Sequence, residues 1–184
     1  MTISFDRQLE IRLAALELHG KCMFGNKNPV DMSKVIHHCD YCITCMNSRL
    51  DGVLGFTAYF RELDKYLIVI DKHENGSPRR LKWTLAHEVG HIVCGHFKND
   101  TYHSLIMSND CIEREANIFA DELLMPTTII LAHGLDTPRK VSNFFDVSLE
   151  AAANKLKYMD SNAVYIDFTS TMMYSDLMLL QGRR

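Results

Sequence analysis

The feature that most constrains this 184-residue chain is the segment WTLAHEVGH, which runs from Trp83 to His91. His87 and His91 stand four residues apart, and Glu88 directly follows the first of them. On an α-helix, residues four apart lie on one face, one turn apart, so both imidazoles can reach a single metal ion. Glu88 projects about 100° further round the helix, beside the ion, where it can take a proton from bound water. The spacing therefore predicts a helix that carries a catalytic zinc ion.

Core packing explains the same residues less well. The apolar side chains of this segment form one helix face, made of Leu85, Ala86, Val89, Ile92 and Val93. On a helical wheel His87 and His91 lie on the opposite side from most of that face, so packing does not account for the pair. His96, at the end of the predicted helix, is expected to cap or pack rather than to bind metal, because the helix dipole favours a cation there.

A catalytic zinc site needs a third protein ligand and one open position. The next apolar stripe predicts a helix over Cys111–Met125, ended by Pro126. The wheel places Glu113 at the edge of that stripe beside small residues that leave room for an ion. It favours Glu113 over Glu115, which is expected on a solvated helix face, although both remain candidates. Asn117, one turn beyond Glu113, is a candidate hydrogen-bond partner for a ligand.

Together, the motifs WTLAHEVGH and EREANIFADELLMP resemble those of the ImmA/IrrE family of metallopeptidases. The resemblance covers residues 83–126, and it implies a gluzincin-like fold with one zinc ion per chain on His87, His91 and Glu113. It also implies that Glu88 is the catalytic acid/base. The implied substrates are helix-turn-helix repressors of phages, mobile elements or stress-response genes. The expected function is a zinc-dependent endopeptidase that relieves repression. The alternative is a non-proteolytic anti-repressor with a structural zinc, against which the intact Glu88 argues.

The hydrophobic pattern predicts an α+β fold, in which a small, mostly antiparallel sheet packs on the active-site helix and the glutamate-bearing helix. The other predicted helices are Phe5–His19, ended by Gly20, then Met32–Cys39, and two within Thr137–Met159; the active-site helix is predicted over Arg79–Phe97. The predicted strands are Tyr41–Asn47, Gly55–Phe60 and Tyr66–Ile70. The last of these is a candidate for pairing with an extended substrate segment. Residues 1–130 are expected to form the metallopeptidase domain, and residues 131–184 a C-terminal helical extension packed on it.

The segment between the two ligand helices, Lys98–Asn109, is predicted to be an exposed polar loop. It contains Tyr102 and His103, and either is a candidate to stabilise an oxyanion, although an exposed loop position without that role is the favoured interpretation.

Three cysteines, Cys39, Cys42 and Cys45, stand three residues apart. A second, structural zinc site is one interpretation of this spacing. Residues three apart on a strand point to opposite faces, however, so reduced thiols in the core are the favoured interpretation.

Charge and termini disfavour two other classes of protein. The net charge is −3, so no overall positive field indicates binding to nucleic acid. Residues 137–158 have the rhythm of a helix-turn-helix, but Lys155 and Lys157 are their only later basic residues, so direct DNA binding is disfavoured. The N-terminus lacks the apolar region of a signal peptide, and the apolar stretch 163–180 is interrupted by two aspartates. A cytoplasmic protein without a membrane partner is expected.

Overall fold

The computed structural model describes residues 3–22, 29–97 and 110–161 in full, and the backbone of residues 102–104. Its helices, in chain order, are α1 (Phe5–Cys22), α2 (Met32–His38), α3 (Lys72–Asn75), α4 (Pro78–Val93), α5 (Asp110–Leu124), α6 (Thr127–Ala132), α7 (Pro138–Phe145) and α8 (Leu149–Ser161). Its strands are β1 (Ile43–Asn47), β2 (Gly55–Phe60), β3 (Lys65–Ile70) and β4 (Tyr102–Ser104), with a 3-10 turn at Arg61–Leu63. The α+β class predicted from the sequence is confirmed. Within the described ranges, no helix combines the length and apolar character needed to cross a bilayer.

The four strands form one sheet in the order β1-β3-β2-β4. β3 runs parallel to β1 and antiparallel to β2, and β2 is antiparallel to β4, so the sheet is mostly antiparallel as predicted. β3 lies between two neighbours, and its backbone is already paired on both sides. The prediction that β3 pairs with a substrate segment is therefore wrong, and the outer strands of the described sheet are β1 and β4.

β4 lies inside the segment that the sequence predicts to be an exposed loop. It pairs with the outer side of β2, in the register Ala58↔Ser104, Tyr59↔His103 and Phe60↔Tyr102. A strand of three residues is too short to show an alternating hydrophobic pattern. Its conformation depends on pairing with the neighbouring strand, which the local sequence does not show.

Helix α4 lies between the sheet and α5, where it contacts β2 and β3 on one side and α5 on the other. Its start is set by Ser77, whose side chain accepts a hydrogen bond from the Arg80 amide, and by Pro78 in the first turn. It ends at Val93, four residues before the predicted Phe97. The cause is Gly95, whose positive φ of 76° reverses the chain.

Helix α1 is longer than predicted. It continues through Gly20 to Cys22, so Gly20 does not end it. The Cys22 side chain is buried against the hydrophobic core. Burial of this last turn outweighs the weak helix propensity of one glycine, which costs about 1 kcal/mol.

The C-terminal helices pack on the helices that precede them. Lys155 of α8 contacts Glu122 of α5 at 2.7 Å, and the Tyr158 hydroxyl donates a hydrogen bond to Gln8 of α1 at 2.8 Å. The division into a domain over residues 1–130 and an extension over residues 131–184 remains a prediction. Residues 162–184, with the apolar stretch 163–180, lie outside the described residues.

Candidate metal centre

The two ligand helices bring three side chains of the predicted metal site together. Nε2 of His87 lies 3.0 Å from Nε2 of His91. Glu113 of α5 approaches both rings, with one carboxylate oxygen 3.2 Å from Nε2 of His87 and the other 3.6 Å from Nε2 of His91. A tetrahedral zinc site with bonds of about 2.0–2.1 Å has about 3.3 Å between neighbouring ligand atoms. The spacing and chemistry of this donor set therefore fit zinc.

The side chains of the site differ in their exposure to solvent. The side chain of His91 is 2% exposed and that of Glu113 is 33% exposed. The sequence placed the two histidines off the core face of their helix, but this face of α4 is covered too, because α5 packs against it. Burial lowers the pKa of His91, and the neighbouring His87 acts in the same direction. The ring is therefore neutral at pH 7, and it has a lone pair to offer a metal.

Glu88 lies beside the three convergent donors and is not one of them. Its side chain is buried, and it accepts a 2.7 Å hydrogen bond from the hydroxyl of Thr57 on β2. Burial raises the pKa of the Glu88 carboxyl, while Thr57 and His87 act in the opposite direction. A carboxylate whose pKa is raised by burial is a stronger base, which suits a residue that takes a proton. Thr57 could not be identified from the sequence, because nothing in a strand pattern shows which inward-facing residue contacts α4.

The ring nitrogen of His87 that does not face His91 is hydrogen-bonded to Asn117, the partner predicted from the sequence. Nδ1 of His87 lies 2.9 Å from Oδ1 of Asn117, which stands one turn beyond Glu113 on α5. Trp83 stacks on the same imidazole with ring centroids 5.3 Å apart, and its indole N–H donates to Asp121 at 3.3 Å. Two contacts from α4 and α5 therefore hold the orientation of this ring.

Glu115 differs from its expected place on a solvated helix face. Its side chain is only 14% exposed, and it forms an ion pair with Arg7 of α1 at 2.6 Å. It also contacts Nε2 of His96 at 3.3 Å. The expectation was wrong because α1 packs across α5 at this point, a contact between segments more than a hundred residues apart in the chain.

A second group of potential ligand atoms, on Cys94, His96 and Glu115, lies within 4.8 Å of one another. The guanidinium group of Arg7 already contacts Glu115, and it donates to the carbonyl oxygen of Cys94 at 2.8 Å. Burial raises the pKa of the Cys94 thiol to about 12, so the thiol is protonated at pH 7. A cation next to a protonated thiol disfavours a second metal ion here.

The remaining candidates do not join the site. Cys39 is half-buried, whereas Cys42 and Cys45 are exposed, so the expectation of three core thiols is wrong for two of them. Cys45 lies on β1, an outer strand with little packed on either face, and Cys42 directly precedes that strand. In the described part of the chain these cysteines do not converge into a group of three metal donors. The side chains of Tyr102 and His103 lie outside the described residues, so their suggested role in oxyanion stabilisation remains a prediction.

Comparison with known proteins identifies the family. The model of the Peptidase_M78 family, described as the IrrE N-terminal-like domain, matches residues 49–157. The chain belongs to the Peptidase_M78 family. No curated protein matches the chain. The matched Peptidase_M78 region contains β2, β3, α4 and α5, and therefore all three convergent donors and Glu88, whereas α1 lies outside it. Membership supports a metallopeptidase type of function.

The contribution of Glu113 can be tested by replacing it with glutamine. The amide keeps the size of the side chain but removes its charge, so we expect zinc affinity to fall by about 100-fold or more, beyond the roughly 10–100-fold that loss of a ligand's hydrogen-bond partner typically costs. Competition with a chromophoric chelator measures this affinity. Glu150→Gln, at an exposed site on α8, is the matched control and should leave the affinity unchanged. Glu115→Gln should have a smaller effect than Glu113→Gln. The reverse order would assign the ligand to Glu115.

Gly90 allows α4 and α5 to approach closely enough for this site to form. A Cβ atom at Gly90 would lie 3.0 Å from the carbonyl oxygen and 3.1 Å from Cα of Ala116, both backbone atoms of α5. We expect Gly90→Ala to push the helices apart, lower the free energy of unfolding by about 1–3 kcal/mol and weaken zinc binding. Urea denaturation and zinc titration measure the two effects.

Gly20→Ala is the control for Gly90→Ala, because a Cβ atom there meets nothing within 4 Å. It should stabilise α1 by about 0.5–1 kcal/mol. A Gly90→Ala protein with the stability and zinc affinity of the parent would show that the helix spacing is not limited by this glycine.

Proposed function

We propose that the chain is a zinc-dependent endopeptidase that cleaves helix-turn-helix repressor proteins, and so relieves repression of phage, mobile-element or stress-response genes. The observation that carries the peptidase part is the position of Glu88. It is a buried carboxylate held by Thr57 beside three convergent metal donors, and it is not one of them. A site that only bound a structural ion would not need a base in this position.

Each residue of the site has a distinct task in this proposal. His87, His91 and Glu113 would hold the ion, which when bound polarises a scissile carbonyl and acidifies water. Glu88 takes a proton from the water and later passes it to the leaving amine. Thr57 keeps the Glu88 carboxylate in place through its hydroxyl. Asn117 and Trp83 hold the His87 ring in one orientation.

The proposed substrate class is supported by the resemblance of the two motifs to the ImmA/IrrE family. A bond inside a folded repressor domain would become accessible only after local opening, so a flexible linker between repressor domains is the favoured target. A substrate strand cannot pair with β3, whose two sides are taken by β1 and β2.

A non-proteolytic anti-repressor is the second candidate, because a chain that binds a repressor tightly would also relieve repression. Direct DNA binding is less well supported than either. Lys155, one of the few basic residues in the helix-turn-helix-like segment, is buried against Glu122 and is not part of a surface that could face phosphates.

The experiment that tests the proposal incubates the zinc-loaded chain with purified candidate repressors and analyses the products by mass spectrometry. We expect a defined pair of fragments from the matching repressor. Cleavage should disappear when zinc is removed with a chelator and return when zinc is restored. A repressor that is bound tightly but stays intact would instead support the anti-repressor.

A further inference from the structure

The outer nitrogen of His91 meets a second histidine instead of a carboxylate, a backbone carbonyl or solvent. Nδ1 of His91 lies 2.9 Å from Nδ1 of His96, while Nε2 of His91 faces His87 and Glu113. A ring that binds a metal through Nε2 carries its proton on Nδ1 and donates from there. His96 must then accept this hydrogen bond at Nδ1 and carry its own proton on Nε2.

The backbone at the end of α4 places His96 under His91. The amide of His96 donates a hydrogen bond to the carbonyl oxygen of His91 at 3.1 Å, and the amide of Gly95 donates one to the carbonyl oxygen of Ile92 at 3.0 Å. This pair of hydrogen bonds, with Gly95 in the left-handed region, is a Schellman motif. It turns the chain back so that a residue five positions after His91 reaches the same imidazole.

The other ring nitrogen of His96, Nε2, also has a hydrogen-bond partner. Its Nε2 donates to Oε2 of Glu115 at 3.3 Å, and the same oxygen accepts two hydrogen bonds from Arg7, at 2.6 and 2.9 Å. A carboxylate opposite Nε2 favours the tautomer that is protonated at this nitrogen. Arg7 lies in the first turn of α1, so a series of hydrogen bonds runs from α1 through Glu115 and His96 to His91.

We propose that His96 is a positioning residue for the metal ligand His91. It accepts the Nδ1 proton of His91 and so fixes the tautomer and orientation of that ring, and Glu115 and Arg7 hold His96 in the state that can accept. The inference rests on the metal site described under the proposed function. It makes α1, which lies outside the residues matched by the family model, part of the support of that site.

Two substitutions of similar shape separate acceptor chemistry from packing. His96→Asn keeps an acceptor oxygen near the place of Nδ1, whereas His96→Leu has the same branching without an acceptor. We expect His96→Leu to lower zinc affinity by about 10–100-fold, and His96→Asn to restore most of the loss. Chelator competition measures the affinity. The visible absorption of the cobalt-loaded protein reports the ligand geometry, which should change in the leucine variant and stay close to the parent in the asparagine variant.

Several outcomes would overturn the inference. Equal weakening by leucine and asparagine would mean that His96 acts only by its shape, and full affinity in the leucine variant would mean that it does not support His91. If the leucine variant fails to fold by circular dichroism, Glu115→Leu takes its place with an expected loss of about tenfold. Unchanged affinity would then overturn the inference. The zinc content of the parent is measured first, because a parent without zinc would overturn the metal site itself.

Discussion

Replacement of Glu88 by glutamine is expected to lower the rate of the proposed repressor cleavage by about 10²–10⁴-fold or more, while the fold and the zinc content stay unchanged. Glutamine has nearly the same shape as glutamate, and its amide oxygen can still accept the hydrogen bond from Thr57. It is not a base at neutral pH, so the proton of the attacking water has no acceptor at this position. Fragment yield over time with the matching repressor measures the effect.

The control for this variant is Glu62→Gln, at an exposed position in the turn between β2 and β3, which should cleave like the parent. Zinc content is measured in both proteins, because loss of the ion alone would also stop cleavage. In cells, the Glu88→Gln protein should leave the repressor intact and its genes silent. If this variant relieves repression as well as the parent, proteolysis is not the mechanism and the anti-repressor is supported.

Loss of one partner from the buried ion pair between Lys155 and Glu122 is expected to lower the free energy of unfolding by about 3–5 kcal/mol. The two side chains are 2% and 1% exposed, and their charged atoms lie 2.7 Å apart. Glu122 also accepts hydrogen bonds from the amide and hydroxyl of Thr127, each at 2.8 Å, at the turn between α5 and α6. Glu122→Ala would therefore leave a buried ammonium group and a buried amide without their partner. The loss is a large share of a typical total stability of about 5–15 kcal/mol.

Urea denaturation at a fixed zinc concentration measures this loss. The control is the ion pair between Asp136 and Lys140, whose side chains are 70% and 55% exposed. Asp136→Ala should change the free energy of unfolding by about 1 kcal/mol or less. The double variant Glu122→Leu with Lys155→Met should be more stable than Glu122→Ala, because it does not leave the Lys155 ammonium group buried without its partner. A Glu122→Ala protein as stable as Asp136→Ala would contradict the prediction.

The sequence predicted best where structure depends on neighbours in the chain. The helix around His87 and His91, the helix ended by Pro126 and the strands β2 and β3 all have periodicity or stop signals within a few residues. The prediction that α1 ends at Gly20 was wrong, because packing against the core extends the helix to Cys22. Strand β4 was also missed, because it depends on pairing with β2.

The sequence by itself determined which residues are candidates for metal chemistry. A helix with two histidines four apart and a glutamate between them presents a candidate metal-binding face, because helix geometry alone sets the directions of the three side chains. The stripe on α5 narrowed the third donor to Glu113 or Glu115, and the motifs pointed to a peptidase family that the family comparison then confirmed.

The tertiary structure alone decided which side chains complete the site. The close contact at Gly90 brings Glu113 within 3.6 Å of both His87 and His91, while α1 places Arg7 against Glu115. Thr57 reaches Glu88 from a strand thirty-one residues earlier in the chain. The separation of these partners along the chain ranges from 22 residues, between His91 and Glu113, to 108 residues, between Arg7 and Glu115. Such contacts arise from the packing of whole elements, which no local sequence pattern encodes.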